Sequence, residues 1–186
     1  MIKNNKLNSK VELCGDWQFA WTENPSPDIK TIAQGQRAGL EFFNCQVPGN
    51  FELDLFELGK IPDPFFGMNP VKVREQTEKC HVFYSKTFDI PEELPGSPFL
   101  VFEGLDCFAD VYLNGVKLAS FDNMLIEHEI NLGDALIEGK NEIFIHIRPA
   151  ILEALKYDYP QLLSSLAVNY ESLYVRKAPH MYGWDI

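Results

Sequence analysis

The clearest alternation of apolar and polar residues lies in the middle of the chain. Residues 99–102 form a continuous apolar run, which predicts a strand covered on both faces. In residues 108–113, Ala109, Val111 and Leu113 alternate with other side chains, as in a half-buried strand. We therefore predict two strands here, joined by a corner at residues 104–106.

An Asn114-Gly115 pair separates the second of these strands from residues 116–119. Both residue types tolerate positive φ, so this pair between two strand patterns predicts a hairpin with a type I′ turn. The centre of the chain is accordingly predicted to be a β-meander of three sequential strands.

Further strand patterns occur on both sides of this centre and give about eight short strands in total. They cover residues 11–21 (broken at Gly15-Asp16), 42–47, 82–90, 126–132 and 143–147, and the last shows the cleanest period of two. Many short strands at regular spacing with little helix predict an all-β fold, a jelly-roll β-sandwich.

One short helix and one fixed loop interrupt the strands. Residues 51–58 have apolar side chains at spacings of three and four and are followed by Gly59, so we predict an amphipathic helix. Residues 61–70 contain three prolines, which exclude helix and central strand. We expect Phe65 and Phe66 to pin this loop to the sandwich, with a binding surface as the alternative.

The strand pattern stops near residue 150. We predict a jelly-roll sandwich over residues 1–150 and a helical or irregular segment over residues 151–186 that belongs to the same domain. Within that segment, residues 151–155 have a helical pattern.

The net charge of −11 opposes binding to nucleic acid or to an anionic membrane, because both need a basic face. Residues 1–10 show no signal peptide, and no transmembrane span is visible. We expect a cytoplasmic protein, with a periplasmic or secreted one as the alternative if a signal peptide was removed.

Four cysteines stand at positions 14, 45, 80 and 107, without a C-x-x-C pair. Two disulfides are formally allowed, but a domain of this size does not need them, so we expect free, buried thiols. No His, Cys or carboxylate spacing predicts a metal site, and no cofactor motif occurs.

Four scattered histidines, His81, His128, His146 and His180, are expected at the surface or in the core without a chemical role. We expect Asp106, in its turn, to be solvated. No nucleophile–base order and no pair of carboxylates suited to glycoside hydrolysis can be placed from the sequence.

The C-terminal residues offer a chemical candidate. Tyr182, Gly183, Trp184 and Asp185 place aromatic rings beside a carboxylate. This combination is suited to sugar binding, because an aromatic plane can cover the C–H face of a sugar and a fixed acceptor can bind its hydroxyls. The alternative is that Trp184 packs as the end of a strand.

Several segments, in order along the chain, resemble the N-terminal domain of the β-mannosidases of glycoside hydrolase family 2. The resemblance extends from about Trp17 onward. The matching segments are residues 47–49, 54–55, 59–69, 84–88, 102–106, 109–115, 122–124, 138–142, 176–178 and 182–185. The Leu-Asn-Gly hairpin is common in the whole family, whereas the Ile-Pro-Asp-Pro-Phe loop with the Gly-Trp-Asp segment is typical of the mannosidase type.

This resemblance implies a galactose-binding-domain-like jelly roll that precedes a catalytic (β/α)₈ barrel. It implies a retaining exo-β-glycosidase that removes terminal, non-reducing β-D-mannose and uses two glutamates of the barrel. The chain itself would contain no catalytic residue and would be inactive alone. Trp184 and Asp185 would bind the mannose of a terminal mannoside, in a loop that enters the glycone pocket.

The resemblance further implies that the chain ends before the last strand of the jelly roll. We therefore expect a fragment of a longer enzyme whose barrel is a partner in the same polypeptide. Two alternatives remain open: a free-standing carbohydrate-binding module, and the same domain from a related family 2 enzyme such as a β-galactosidase.

Overall fold

Two antiparallel sheets face each other across an apolar core. A computed structural model describes residues 2–4, 9–25, 27–90, 98–158 and 175–178. The sheet architecture confirms the predicted all-β sandwich, with ten strands in the described part of the chain instead of about eight.

The smaller sheet has four strands. In spatial order these are β2 (Ser9–Val11), β1 (Ile2–Asn4), β6 (Pro98–Phe102) and β9 (His128–Asn131). The larger sheet has six strands. In spatial order these are β4 (Phe43–Val47), β3 (Gly15–Thr22), β5 (His81–Ile90), β10 (Gly139–Arg148), β7 (Phe108–Leu113) and β8 (Val116–Phe121).

Short helices connect or cover the strands. They are α1 (Ile32–Arg37), α2 (Phe51–Glu57), α3 (Asn69–Thr77) and α4 (Ala150–Ala154), together with a 3₁₀ turn over Gly133–Ala135. None of the described helices is long and apolar enough to cross a membrane.

Helix α2 confirms the helix predicted over residues 51–58. Its first turn is capped by Asn50, whose side-chain oxygen accepts from the Leu53 N–H at 3.1 Å. Leu55 is the residue that α2 buries in the core, and Gly59 ends the helix with φ of +66°.

Helix α3 is absent from the sequence-based prediction. It begins beside Pro70, which is favourable in a first helical turn, and buries only Val73 and Thr77. Two buried residues one turn apart give too narrow an apolar stripe for a periodicity search to detect.

The predicted central meander is wrong in its pairing. β6 pairs with β1 and β9 in the smaller sheet, whereas β7 pairs with β8 and β10 in the larger sheet. Residues 103–107 therefore cross from one sheet to the other. An apolar run indicates that a strand is buried, but it does not identify the neighbouring strands.

Strand β7 is buried on both faces, not on one as predicted. Ala109, Val111 and Leu113 enter the core between the sheets. On the outer face, Tyr112 packs with Phe83 and Phe144 beneath an apolar cover from the segment around α1. That cover consists of Ile29, Ile32, Leu40 and Phe42.

The hairpin between β7 and β8 has the predicted positive φ angles, 52° at Asn114 and 80° at Gly115. Asn114 also binds β10, because its backbone N–H donates to the Glu142 carbonyl and its side-chain oxygen accepts from the Glu142 N–H, both at 2.9 Å. The turn residue thus connects the hairpin to the neighbouring strand.

Asn141 completes this connection from a position that is 1% exposed. Its side-chain nitrogen donates to the carbonyls of Ile137 and Gly139, at 2.7 and 2.9 Å. Its side-chain oxygen accepts from the Ile137 N–H at 3.0 Å and from the Asn114 amide at 2.9 Å. Every polar atom of the side chain is therefore satisfied in the core.

A second buried polar group joins β5 and β10 on the outer face. The ring nitrogens Nδ1 of His81 and Nε2 of His146 lie 2.8 Å apart, and both side chains are buried. One ring must donate and the other accept, so the two rings cannot both carry a full set of protons. Burial lowers the pKa of His81. Burial, and then the neighbouring His81, lower the pKa of His146 to about 4.

The cysteines are all free. Cys45, Cys80 and Cys107 are buried, as predicted, but Cys14 is exposed. Cys14 lies in the connection of residues 12–14 between β2 and β3. The predicted break at Gly15-Asp16 is wrong, because both residues belong to β3.

We predict that Asn141→Leu destabilises the chain by about 3 kcal/mol. Leucine has a similar size but removes the four hydrogen bonds that the Asn141 amide makes to Ile137, Gly139 and Asn114, each of which contributes about 0.5–1.5 kcal/mol. Urea unfolding measures the loss. Asn44→Leu, at an exposed strand position, serves as the control and is expected to change stability by less than about 0.5 kcal/mol. A loss below about 1 kcal/mol for Asn141→Leu contradicts the prediction.

We also predict that acid destabilises the fold through the His81–His146 pair. Both folded-state pKa values lie below the ordinary 6.5, so the unfolded chain binds protons first as the pH falls. The contribution of the neutral histidine pair to the free energy of unfolding is therefore fully present above pH 6.5 and is lost as the pH falls towards 4. Relative to His81→Phe/His146→Phe, the wild-type chain should lose on the order of 3 kcal/mol more between pH 7 and pH 4.

The wild-type chain is compared with the double histidine variant, and not considered alone, because protonation of Asp54 has the opposite effect on stability. Burial, and then Glu57 and Glu52, raise the pKa of Asp54 from 3.8 to about 6, so its protonation stabilises the fold as the pH falls through 6. Asp54 is present in both proteins and cancels in the difference. Equal pH profiles for the two proteins, measured by urea unfolding, contradict the prediction for the histidine pair.

Candidate functional site

A cavity of about 930 Å³ lies between the two sheets and is open at one side. Its walls are apolar, and its rim carries charged side chains. Described wall residues include Trp17, Tyr84, Leu100, Val101, Ile143 and Ile145, and described rim residues include Glu12, Arg74, Glu78, Glu103, Asp106 and Lys177. An apolar wall with a polar rim can accommodate a polypeptide segment or a ligand with one apolar face.

An ion pair stands at this rim. The Lys177 ammonium donates to both carboxylate oxygens of Asp106, each at 2.6 Å, and the side chains are 19% and 32% exposed. The expectation that Asp106 is solvated holds only in part, because its side chain is 32% exposed but is also paired with Lys177. A lysine 71 positions later in the chain neutralises Asp106, and such a distant partner cannot be identified from one sequence.

The backbone on both sides of Lys177 is also fixed. The Met124 N–H donates to the Arg176 carbonyl at 3.0 Å, and the Ala178 N–H donates to the Met124 sulfur at 3.1 Å. Val175 is buried with Cys107, Phe108 and Ala154. We call residues 175–178 the anchored segment.

The two predicted sugar-binding residues, Trp184 and Asp185, lie outside the described residues, as does His180. Their assignment stays a prediction. The anchored segment includes Arg176, Lys177 and Ala178, which belong to the same matching stretch of sequence. The structure therefore describes how that stretch begins.

The two phenylalanines of the loop before α3 do not pin it to the sandwich, whereas Ile61, at the start of the loop, is buried in the core. Phe65 and Phe66 are 83% and 74% exposed, and Met68 is 72% exposed. The expectation that the two phenylalanines pack inward is wrong. The loop is held by Ile61 in the core and by its own hydrogen bonds, so it does not need to bury these rings.

The buried thiols are not suited to nucleophilic chemistry. Burial raises the pKa of Cys45 and of Cys107 to about 12, and that of Cys80 to about 11. The thiols are consequently protonated at neutral pH, and the thiolate is the reactive form. These cysteines fill space in the core.

Each described histidine has a hydrogen-bond partner at one ring nitrogen, but Nε2 of His81 is buried without a partner. His81 and His146 bind each other, and the ring of His128 stacks on Phe121 with centroids 4.0 Å apart. Nε2 of His128 is 2.6 Å from the Asn123 carbonyl oxygen. Among the described residues, no group of three His, Cys, Asp or Glu could hold a metal ion.

Two carboxyl groups with shifted pKa values carry no signal in the sequence: Asp110, which is buried, and Asp54, which is half-buried. Asp110 is bound by Arg148 at 2.6 Å, Ser120 at 2.6 Å and Lys117 at 2.9 Å. Burial opposes ionisation, but these partners outweigh it and lower the pKa of Asp110 to about 2. Asp110 is thus a structural anion on the outer face of the larger sheet.

Asp54 is the second such carboxyl, with its pKa raised to about 6 by burial and by Glu57 and Glu52. Its Oδ2 atom is buried without a hydrogen-bond partner. A single carboxyl with a raised pKa could donate a proton, but glycoside hydrolysis of the retaining type needs a second carboxylate about 5–5.5 Å away. Asp54 alone does not form such a site.

Comparisons with known proteins identify relatives of the chain. Residues 17–186 match the family model described as "Glycosyl hydrolase 2 galactose-binding domain-like". Beta-mannosidase B of Emericella nidulans is 37% identical over 145 residues, which cover 75% of this chain and 17% of that protein. Beta-mannosidase B of Thermothelomyces thermophilus is 30% identical over 179 residues, which cover 94% of this chain and 19% of that protein.

A solved structure agrees with these matches. The crystal structure of beta-D-mannosidase from Dictyoglomus thermophilum superimposes with a TM-score of 0.75 at 33% identity, and covers 94% of this chain and 20% of that protein. The chain thus spans about one fifth of the length of such relatives. The β-sandwich, the family model and this superposition together show that the chain belongs to the galactose-binding-like domains of glycosyl hydrolase family 2.

Proposed function

We propose that this chain is the non-catalytic N-terminal domain of a retaining exo-β-glycosidase, a β-mannosidase that hydrolyses terminal, non-reducing β-D-mannose residues. The named relatives and the superimposed structure support mannose as the sugar. The chain's share of their length, about one fifth, supports a larger enzyme in which a further domain performs the chemistry.

The anchored segment is the observation that carries this proposal. Lys177 is fixed at the rim of the cavity by Asp106, and Trp184 follows it by seven residues. Seven extended residues span at most about 25 Å. Trp184 and Asp185 can therefore reach a neighbouring domain while the sandwich fixes the start of their segment.

The described carboxyl groups support a catalytic pair located elsewhere. Asp106 is paired with Lys177, and Asp110 is paired with Arg148. A carboxylate that is held in an ion pair is a weaker base and a weaker nucleophile, which makes these two groups poor candidates for the catalytic pair. We assign the acid/base and the nucleophile to the barrel of the longer enzyme.

In this proposal, Trp184 and Asp185 bind the terminal sugar that the enzyme releases. The indole covers the apolar face of the mannose ring, and the carboxylate accepts hydrogen bonds from hydroxyls remote from the scissile bond. Binding energy from such remote hydroxyls can help to distort the sugar towards its transition state. The domain would thus contribute to catalysis without containing a catalytic residue.

We predict a coupling of about 1 kcal/mol between Lys177 and Asp106. The pair is bidentate, but its side chains are partly exposed, so solvent screening reduces its strength. A double-mutant cycle of Lys177→Met and Asp106→Asn, measured by urea unfolding, gives the coupling energy. It should decrease in 1 M salt.

The pair between Lys30 and Asp28 provides the matched control. Its atoms are 3.0 Å apart, but the side chains are 38% and 83% exposed, so its coupling should stay below about 0.5 kcal/mol. If the two pairs show the same coupling, Lys177 does not anchor its segment more firmly than an ordinary surface ion pair.

We predict that Asp185→Ala in the longer enzyme lowers kcat/KM for an aryl β-mannoside by about ten- to a hundredfold. A hydrogen bond to a charged group contributes roughly 1.5–3 kcal/mol. Part of the loss should appear in kcat, because the bond helps to distort the sugar. Steady-state kinetics of the purified variant measure both parameters.

Two controls accompany this experiment. Asp28→Ala, at a side chain that is 83% exposed, should leave kcat/KM unchanged. The 186-residue chain alone should release no aryl group above the rate in buffer and should show no saturable binding of mannose below the millimolar range. If the kcat/KM of the Asp185→Ala enzyme stays within twofold of the wild-type value, Asp185 has only a structural role. If the chain alone binds mannose tightly, a carbohydrate-binding module is favoured instead.

A further inference from the structure

The loop before α3 presents a concentrated group of exposed apolar side chains. We call residues 61–68 the apolar loop. Within it, Phe65, Phe66 and Met68 are 83%, 74% and 72% exposed. Single exposed apolar residues are normal on a protein surface, but three within four positions, two of them aromatic, form a patch typical of an interaction site.

The apolar loop holds these side chains outward by its own hydrogen bonds. The Asp63 carboxylate accepts from the Phe65 N–H at 2.9 Å, and the Asp63 carbonyl accepts from the Asn69 amide at 3.0 Å. The Asn69 N–H donates to the Phe66 carbonyl at 3.1 Å. Because the loop is already ordered, little conformational entropy is lost when its side chains are buried by a partner.

The position of the loop relates it to the anchored segment. Pro64 and Pro70, which flank the exposed side chains, line the same cavity as Asp106 and Lys177. The cavity thus adjoins both the apolar loop and the segment that leads to Trp184 and Asp185. A domain that contacts the segment leading to Trp184 and Asp185 on this side of the sandwich is well placed to contact the apolar loop as well.

The size of the patch favours a partner within the same polypeptide. Three side chains of this size expose roughly 400–500 Å². A stable complex of separate proteins buries about 800 Å² on each partner, whereas contacts between domains of one chain are stable with less, because the domains are covalently connected. A second copy is also disfavoured by the net charge of −11 on each chain.

We infer that Phe65, Phe66 and Met68 dock into an apolar depression on the downstream catalytic domain of the same polypeptide. The inference rests on the proposed function, because the longer enzyme supplies this occupant. Docking at the apolar loop would provide a second fixed point, besides the anchored segment, and would orient the sandwich so that Trp184 and Asp185 meet the sugar.

Thiol labelling tests the docking directly. In a Cys14→Ser background, which removes the exposed native thiol, Phe65→Cys is labelled with a maleimide in the 186-residue chain and in the longer polypeptide that contains it. We expect labelling at position 65 to be at least tenfold slower in the longer polypeptide. Ile137→Cys, at a residue that is 52% exposed and remote from the loop in sequence, should react at the same rate in both.

The labelling rates at position 65 distinguish the possible occupants of the apolar loop. Equal labelling of position 65 in the two proteins overturns the inference. Protection in the 186-residue chain that grows with its concentration assigns the loop to a second copy and also overturns it, as does protection of that chain by a mannose oligosaccharide. Melting temperatures of the labelled variants establish that all of them are folded.

The activity of the longer polypeptide towards an aryl β-mannoside is measured in parallel. A polypeptide that hydrolyses the mannoside while position 65 reacts freely overturns the docking inference and leaves the proposed function standing. Protection of position 65 without mannosidase activity supports the docking and overturns the proposed function.

Discussion

The fold depends on burying β7 and β10 on both faces. Ile143, Ile145 and Val111 are in the core between the sheets, while Phe144 and Tyr112 need a separate cover on the outside. A sheet with only one covered face would leave these aromatic rings in water. The segment around α1 supplies one part of the cover, and α4 with the anchored segment supplies another, at Phe108 and Cys107. The connections of this domain are therefore structural layers, not only links between strands.

This second layer explains why polar residues are buried on the outer face. Asp110 and Arg148 have side chains that are only 10% and 22% exposed, and they are paired with each other and with Lys117 and Ser120. Asp110 and Arg148 each have a further charged partner, Lys117 for Asp110 and Glu153 for Arg148, so the charges compensate one another as a network. Such a network favours one arrangement of the covering segments, because its hydrogen bonds are satisfied in that arrangement.

The sequence predicted the features that arise from local physics. The positive φ values at Asn114 and Gly115, the helix that begins at Phe51 and the all-β class follow from turn chemistry, capping and periodicity. The errors concern long-range partners. The sheet to which residues 99–102 belong, the cover over β7 and the ion pair at Asp106 all depend on residues far away in the sequence. For the site, only the start of the predicted sugar-binding stretch is described, and its anchor at Lys177 had no local signal.

The same division explains why the sequence favours Phe65 and Phe66 as residues that pin their loop to the sandwich. Aromatic residues next to prolines usually pack inward, because burying them stabilises a fold by a few kcal/mol. Here Ile61 in the core and the hydrogen bonds of Asp63 and Asn69 hold the loop, and the two exposed rings bury too little area to stabilise the isolated sandwich by much. Exposed rings also increase the risk of association. A sequence that maintains an ordered loop and still exposes its largest apolar side chains is best explained by a contact that lies outside this domain.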